Sequence, residues 1–266
     1  MNLDQVVYTP LRQLSFRGKY RLSRLIIPTT GNRKARIFGS LMELDLSDYI
    51  QRSMYAGLYE VEDVAWFRSV LRPGMVFVDV GANVGYYTAL AAYLVGARGK
   101  VIACEPDPHA FGKLQRFVHS NGLSQVHCHN VALSDQPHKL SLFVPPKSYG
   151  NHNPSTARYC DGMTEQMVSA TTLDQCFSDL GLTSVELLKI DVEGHELKVL
   201  QGAQQSIRER RIKRILCEFN EKMLAHNGVS SHELRECLLR LGYRDLSGSF
   251  KISPFAENRR FVVSGL

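Results

Sequence analysis

Val78-Asp79-Val80-Gly81-Ala82-Asn83-Val84-Gly85-Tyr86-Tyr87-Thr88 is the stretch that decides the fold of this chain. An apolar run from Met75 to Val80, interrupted only by Asp79, breaks into a glycine turn. The turn opens a helical pattern over Tyr86 to Ala97. Strand, glycine turn and helix in that order make a cradle for a nucleotide-like ligand. Gly81 permits a sharp turn and a close approach because it has no Cβ, and Gly85 lets the helix start pack near the strand. The first N–H groups of the helix have no intrahelical partner and point toward the ligand.

The details argue against a dinucleotide. The phosphate fingerprint wants three glycines, whereas this turn reads G-x-N-x-G, with Asn83 in the middle. Asp79 stands just before the turn, where its charge opposes a pyrophosphate and suits a ligand with a cationic end. Glu105 ends the next apolar run, Val101 to Cys104, and there a carboxylate accepts hydrogen bonds from ribose hydroxyls. S-adenosylmethionine has the ribose and the cationic end, and carries no phosphate.

The 266 residues are 44% hydrophobic and 22% charged, ordinary values for a globular chain with one large α/β core. No apolar run approaches the roughly 20 residues that span a bilayer. Met1 to Leu14 lacks a secretory apolar core, so a cytoplasmic protein is expected. The six cysteines form no C-x-x-C pair and read as reduced thiols. Net charge is +6, concentrated in residues 1–40, where eight Lys/Arg face one acid, Asp4. Such an arm suits a lipid surface, a nucleic acid or an acidic carrier protein; a solvated face is the preferred reading.

Leu41 to Leu46 alternates like a strand, and Glu60 to Leu71 is an amphipathic helix stopped by Pro73-Gly74. Strands and helices then alternate. The strands are Met75–Val80, Val101–Cys104, about Gln125–Leu133, Val185–Asp191 and Ile212–Glu218. The helices are Tyr86–Ala97, Pro108–Asn121, His195–Arg208 and Ser231–Leu241. Leu140–Val144 and Met167–Thr171 read as a hairpin around a polar loop, and Thr172-Leu173-Asp174-Gln175 as a capping box. A last pair near Tyr243–Ser249 and Arg260–Val263 adds an antiparallel edge. This order predicts a doubly wound, mostly parallel seven-stranded α/β sheet with its ligand outside the carboxyl ends of the strands. Asp79, Glu105, Asp191 and Glu218 all fall at such ends.

At these positions the chain resembles the FkbM-type class I S-adenosylmethionine-dependent methyltransferases. The matching pieces are Val78 to Thr88, Glu105-Pro106-Asp107-Pro108, Asn130-Val131-Ala132-Leu133-Ser134-Asp135, Thr172-Leu173-Asp174 and Leu188-Lys189-Ile190-Asp191-Val192-Glu193-Gly194-His195-Glu196, with Gly57-Leu58-Tyr59-Glu60 upstream. The resemblance covers about residues 41–220. It implies a Rossmann-like methyltransferase domain over 57–266, preceded by a basic extension, 1–56, with a strand or hairpin. It also implies O-methylation of a hydroxyl on a small molecule, sugar or other secondary metabolite, free or linked to a carrier protein or lipid. Carried over, Asp79, Gly81, Asn83, Gly85 and Tyr86 would line the methionine end, with Glu60 and Tyr59 beside it. Glu105 and Pro106 would hold the ribose, and Asn130 to Asp135, including Ala132, would border the adenine.

Methyl transfer to oxygen needs alignment and removal of a proton. Lys189 and Asp191 share a face of a strand that should be apolar throughout. Asp191, Glu193 and His195 are the candidate bases, with Asp191 and His195 favoured; a helix start would keep His195 neutral. Lys189 is equally a salt-bridge partner for Asp191 or Glu218, Glu193 an acid suited to a helix start, and His195 a capping residue. A Mg²⁺ ion at Asp191, Glu218 and Asn220 is a second mechanism, less favoured than a metal-free site. Tyr149 and His152, in the long polar loop Lys147–Thr156, and Glu218 are candidates for acceptor contact. An NAD-dependent oxidoreductase is disfavoured by the turn, and a nucleic-acid base methyltransferase by the absence of N-P-P-Y or P-C motifs. A non-catalytic binding protein is the alternative of a different class.

Overall fold

β1 (Asn32–Ile37) and β2 (Ser40–Asp45) pair antiparallel through Phe38 and Gly39, both at positive φ, the geometry of a type I′ hairpin. The structure, a computed structural model, describes residues 25–146, 153–253 and 255–266. Helix α1 (Tyr49–Ala56) starts on Asp48, whose side chain accepts from the Gln51 N–H. Then follow α2 (Val61–Val70), β3 (Val76–Val80), α3 (Tyr86–Val95), β4 (Lys100–Cys104), α4 (Pro108–Ser120) and β5 (Val126–His129). α4 begins as its sequence dictates, with Asp107 capping and Pro108 in the first turn. β6 (Ala132–Leu133), β7 (His138–Val144) and β8 (Thr164–Thr171) make a small sheet of order β6-β8-β7. The chain continues through α5 (Leu173–Asp179), β9 (Leu187–Ile190), α6 (Glu196–Gln201), α7 (Gln204–Arg208) and β10 (Arg214–Phe219). It goes on through α8 (Glu221–His226), α9 (Ser231–Arg240), β11 (Tyr243–Asp245) and β12 (Glu257–Val263).

The large sheet has seven strands in the order β11-β12-β10-β9-β3-β4-β5. β12 runs antiparallel to both of its neighbours, and the other pairings are parallel. The chain therefore builds outward from β3 to β5, then returns across β3 to lay down β9. Order reverses at that point, which opens a crevice above the carboxyl ends of β3 and β9. This is the doubly wound class I methyltransferase architecture, with the antiparallel C-terminal edge that the sequence predicts.

Period-two alternation splits the core into two apolar clusters, one on each face of the sheet. Phe77, Val101, Ala103, Leu187 and Leu216 belong to one cluster, and Val78, Ile102, Leu188, Ile190 and Ile215 to the other. Asp79, Lys189 and Glu218 share the parity of the first set. The polar residues of the sheet thus emerge on one face, at its upper edge. Ala35, Ile37, Met42, Leu44, Met54 and Tyr55 sit in the same cluster as Phe77, so the described part of the N-terminal extension shares its core with the large sheet.

Several expectations change. The strand expected over Gln125–Leu133 is two, because the chain leaves the large sheet after His129 and β6 joins the small one. Helices α1 and α8 were not anticipated; each is short and begins on a side-chain cap, Asp48 or Asn220. The capping box at Thr172 is half formed: its hydroxyl accepts from Gln175 N–H, while the Gln175 side chain turns to Asp179.

The helix expected over His195–Arg208 is broken at Gly202-Ala203. Asp174 caps the restart, accepting from the N–H groups of Gln205 and Ser206 at 2.8 and 2.7 Å. The Gly202 carbonyl accepts from Asp174 N–H. A Cβ on Gly202 would stand 2.0 Å from the Ser134 carbonyl oxygen. A mid-helix glycine normally gains about 1 kcal/mol on replacement by alanine. Here the sign reverses: Gly202→Ala is expected to destabilise by about 1–3 kcal/mol through overpacking, read as a lowered urea midpoint at unchanged m-value.

Candidate functional site

Asp191 follows the last residue of β9, and its backbone touches the glycine turn. Its N–H donates to the Val80 carbonyl at 3.1 Å. A Cβ on Gly81, whose φ is +79°, would lie 1.8 Å from the Asp191 carbonyl oxygen. Only glycine admits this approach of turn and strand end. Gly85, also at positive φ, has no room for a Cβ against Leu114. Asn83 between them takes positive φ without being glycine, as do Glu60 and Glu193. Three strained residues therefore ring one crevice, as strain tends to at functional sites.

The crevice is a cavity of about 530 Å³. Glu60, Gly81, Asn83, Tyr86, Glu105, Pro106, Ala132, Lys189, Asp191, Glu193, His195, Glu218 and Asn220 all line it. Glu105 is held by two backbone donors. Asn83 N–H reaches Oε2 at 2.7 Å and Asp107 N–H reaches Oε1 at 2.8 Å, leaving a lone pair on each oxygen. Burial nonetheless pushes its carboxyl up to about 7. Asn130 does not line the cavity; its amide donates to the carbonyls of Glu105 and Pro106 at 2.8 and 3.0 Å and so fixes the loop that presents Glu105.

Asp79 lies beneath the floor rather than in it. It is fully buried, accepts from the Thr88 hydroxyl at 2.7 Å, and has Lys189 Nζ at 3.8 Å. Lys189 is buried too and lies 3.0 Å from Asp191 Oδ2. Burial works against its charge, but Asp191 and Asp79 outweigh that and hold the ammonium above the usual lysine range.

The rim is acidic. One carboxylate oxygen each from Asp191, Glu193 and Glu218 lie within 4.8 Å of one another, a spacing that could bracket a cation. Burial first, then the neighbouring carboxylates, raise Glu193 to about 8 and Glu218 well above the ordinary range. Glu218 Oε2 is sealed from solvent without a hydrogen-bond partner. Asn220 lines the cavity, but its side chain caps α8 through Met223 N–H. Glu60 accepts from the Tyr87 hydroxyl and from Asn258 of β12, and burial raises it to about 8.

His195 is a bridge. Nδ1 is 3.3 Å from the Thr156 hydroxyl and Nε2 is 3.0 Å from that of Ser134. Thr156 donates to Asn227, so a neutral ring protonated at Nδ1 donates to Thr156, while Nε2 faces the Ser134 hydroxyl, which also lies 3.0 Å from Asp135 Oδ1. Burial lowers the ring to about 4, which keeps it neutral. The direction agrees with the sequence expectation, although burial rather than the six-residue helix behind it is the leading cause.

Tyr149 and His152 lie outside the described residues. The described end of that loop is fastened to the site: Asn153 donates to Glu193, and Ser155 donates to the Glu193 carbonyl at 2.9 Å. Sequence reasoning did not single out Tyr87, Ser134, Thr156 or Asn258 as partners of the site. Tyr87 falls in the glycine-turn stretch, Ser134 in the stretch Asn130 to Asp135 and Thr156 at the end of the polar loop, whereas Asn258 carried no signal.

With this geometry in place, the likenesses to known proteins can be read. Residues 79–244 match the family described as the Methyltransferase FkbM domain. A curated relative, Methyltransferase 1 of Beauveria bassiana, is 29% identical over 142 residues, covering 47% of this chain and 57% of its own. The AMB antimetabolite synthetase AmbE of Pseudomonas aeruginosa is 23% identical over 242 residues, 76% of this chain and 11% of its own. The chain thus spans little more than half of one relative and about a tenth of the other. Among solved structures, the FkbM methyltransferase of Methylobacillus flagellatus KT aligns with TM-score 0.47 and 17% identity, over 81% of this chain and 55% of that one. A SAM-dependent methyltransferase of Aquifex aeolicus aligns with TM-score 0.45 and 14% identity, over 77% and 90%. The seven-stranded, doubly wound α/β sheet is of the class I methyltransferase type. The chain belongs to the FkbM methyltransferase family.

The acidic rim makes a pH prediction. A carboxyl held above its ordinary value of 4.5 contributes stability that is complete below that value and is lost as pH rises through the folded one. Glu218→Gln removes this loss. The variant is expected to melt higher than the parent at about pH 8 and no higher at about pH 4, checked by thermal scans at both.

Proposed function

We propose that the protein is an S-adenosylmethionine-dependent O-methyltransferase acting on a small-molecule hydroxyl. The observation that carries the cofactor assignment is Glu105. Its carboxylate is aimed into the cavity by two backbone N–H groups, beside a turn that only glycine can make. Two lone pairs set there suit the vicinal hydroxyls of a ribose. The apolar wall of Val131, Ala132, Leu133 and Leu142 suits an adenine. The acidic rim suits the cationic end of this cofactor and opposes the pyrophosphate of a dinucleotide.

When bound, the cofactor supplies a methyl group whose C–S bond breaks as the C–O bond to the acceptor forms. The chain's own residues orient the acceptor and take its proton. Asp191 fits this role best, because it lines the cavity and Lys189 ties only its Oδ2. Glu193 and Glu218, whose carboxyls burial and the neighbouring acids hold above the ordinary range, border the same wall and offer hydrogen bonds to the acceptor. His195, bonded at both nitrogens, acts as a positioning residue for Ser134 and Thr156. Glu218 and Asn220, with the exposed Lys222, form the acceptor side above β10. A divalent cation at Asp191, Glu193 and Glu218 is the second reading. Their oxygen spacing favours it; the expected arrival of the cofactor's own positive charge beside them favours the metal-free site.

Calorimetric titration tests the assignment. S-adenosylhomocysteine is expected to bind saturably and NADH not at all, with affinity unchanged by EDTA. Glu105→Ala should weaken S-adenosylhomocysteine by about 10–100-fold, the value of one or two hydrogen bonds to a charged group. Binding of NADH in its place, or full affinity in Glu105→Ala, refutes the reading.

A further inference from the structure

We propose that Lys189 is a positioning residue that shapes the methionine end of the cofactor site, by holding the Asp191 carboxylate and the Gly81 carbonyl at once. The inference rests on the reading of the cavity as a cofactor site.

A lysine in the middle of a parallel sheet needs an explanation. Strands buried on both faces are normally apolar throughout, and β9 reads Leu-Leu-Lys-Ile with every residue buried. Lys189 stands in register with Asp79 of β3, two positions before Asp191 on its own strand. Its parity places all three side chains on the same face. From that position Nζ reaches Asp191 Oδ2 at 3.0 Å and the Gly81 carbonyl oxygen at 3.4 Å. Asp79 Oδ1 lies at 3.8 Å and the centre of the Tyr87 ring at 5.1 Å. An ammonium has three protons. Two are taken by Asp191 and Gly81, and the third faces the gap between Asp79 and the ring.

Charge balance alone does not account for this arrangement. Two carboxylates and one ammonium leave the trio at a net charge of −1, and burying ion pairs is seldom stabilising compared with apolar packing. What Lys189 adds is geometry. Asp191 and Gly81 face each other across a contact so close that a Cβ on Gly81 would stand 1.8 Å from the Asp191 carbonyl oxygen. The ammonium joins the side chain of one to the carbonyl of the other across that contact. It turns Asp191 Oδ2 inward, leaves Oδ1 for the ligand, and fixes the Gly81 carbonyl. Its own positive charge is spent on the two acids. The surface left to a ligand is a pair of oriented acceptors with a negative balance, suited to an ammonium or sulfonium group. The ribose end depends on different residues, Glu105 with Asn83 and Asp107, so the two ends of the ligand can be tested separately.

The experiment compares S-adenosylhomocysteine, which has the methionine end, with adenosine, which lacks it. Both are titrated into the full chain by calorimetry alongside thermal scans. Lys189→Met is expected to lower Tm, because Asp79 loses its only ionic partner among the described residues. The pair Lys189→Met with Asp79→Asn removes one charge of each sign and should recover most of that Tm. In the double variant S-adenosylhomocysteine should remain at least about tenfold weaker than in the parent, while adenosine holds within about twofold; that ratio is the signature of positioning. Recovery of both affinities with Tm would mean that Lys189 only balances charge, and a parallel loss of both ligands would mean that it only supports the fold; either overturns the proposal. Lys189→Arg covers the case in which neither Met variant folds. It keeps the charge, but its planar fork cannot reproduce the three contacts, so a several-fold loss confined to S-adenosylhomocysteine is expected, and parental affinity refutes the idea. If the parent itself binds neither ligand, it is the cofactor assignment that fails, and this is measured first.

Discussion

The backbone contact between Gly81 and Asp191 governs the arrangement of the site. A missing Cβ lets the turn after β3 press against the end of β9, and the acids of the neighbouring strand ends emerge around that contact. Asp191 is placed by it directly. Glu218 follows, because β10 is in register with β9. Glu105 follows from the other side, because the N–H groups of Gly81 and Ala82 both donate to the Cys104 carbonyl just before it. One permissive residue thus coordinates three strands, and the acids arrive at a common rim without any loop having to carry them there.

That rim carries an electrostatic burden. Glu60, Glu105, Asp191, Glu193 and Glu218 line the cavity, with Lys189 the buried cation among them. Burial and mutual repulsion raise the proton affinity of four of these five groups. A protein tolerates such a concentration where a ligand relieves it, so the strain is itself a statement about what the crevice accepts. The neutral His195, by contrast, belongs to a hydroxyl network that fastens the loop of Thr156 to the start of α6.

Much of this was legible in the sequence because it depends on short-range rules. Gly81, Gly85, Asp79 and Glu105 announce themselves by spacing, and the strand–helix alternation follows from periodicity. The parity of Lys189 and Asp191 correctly placed two charges on one face. Less was legible wherever distant segments meet. Asp79 looked like a ligand contact, yet its partners, Thr88 and Lys189, enclose it completely. Asn130 looked like an adenine neighbour and is instead a brace for the Glu105 loop. The break at Gly202 depends on the Ser134 carbonyl and the Asp174 side chain, which no local pattern reveals. Helices α1 and α8 were too short to show a period.

The placement of β12 bears on how the chain reaches its finished state. This strand follows β11 in the chain, yet it lies between β10 and β11, and its Asn258 amide donates to Glu60, at the start of α2, and to Asp63 within it. Arg260, two residues on, closes the same latch with Asp63 at 2.8 Å. The wall around Glu60 is complete only when β12 is in place, however early the glycine turn has formed. Completion of the crevice is therefore coupled to the docking of β12, and a chain lacking Glu257–Val263 would carry a half-built chamber.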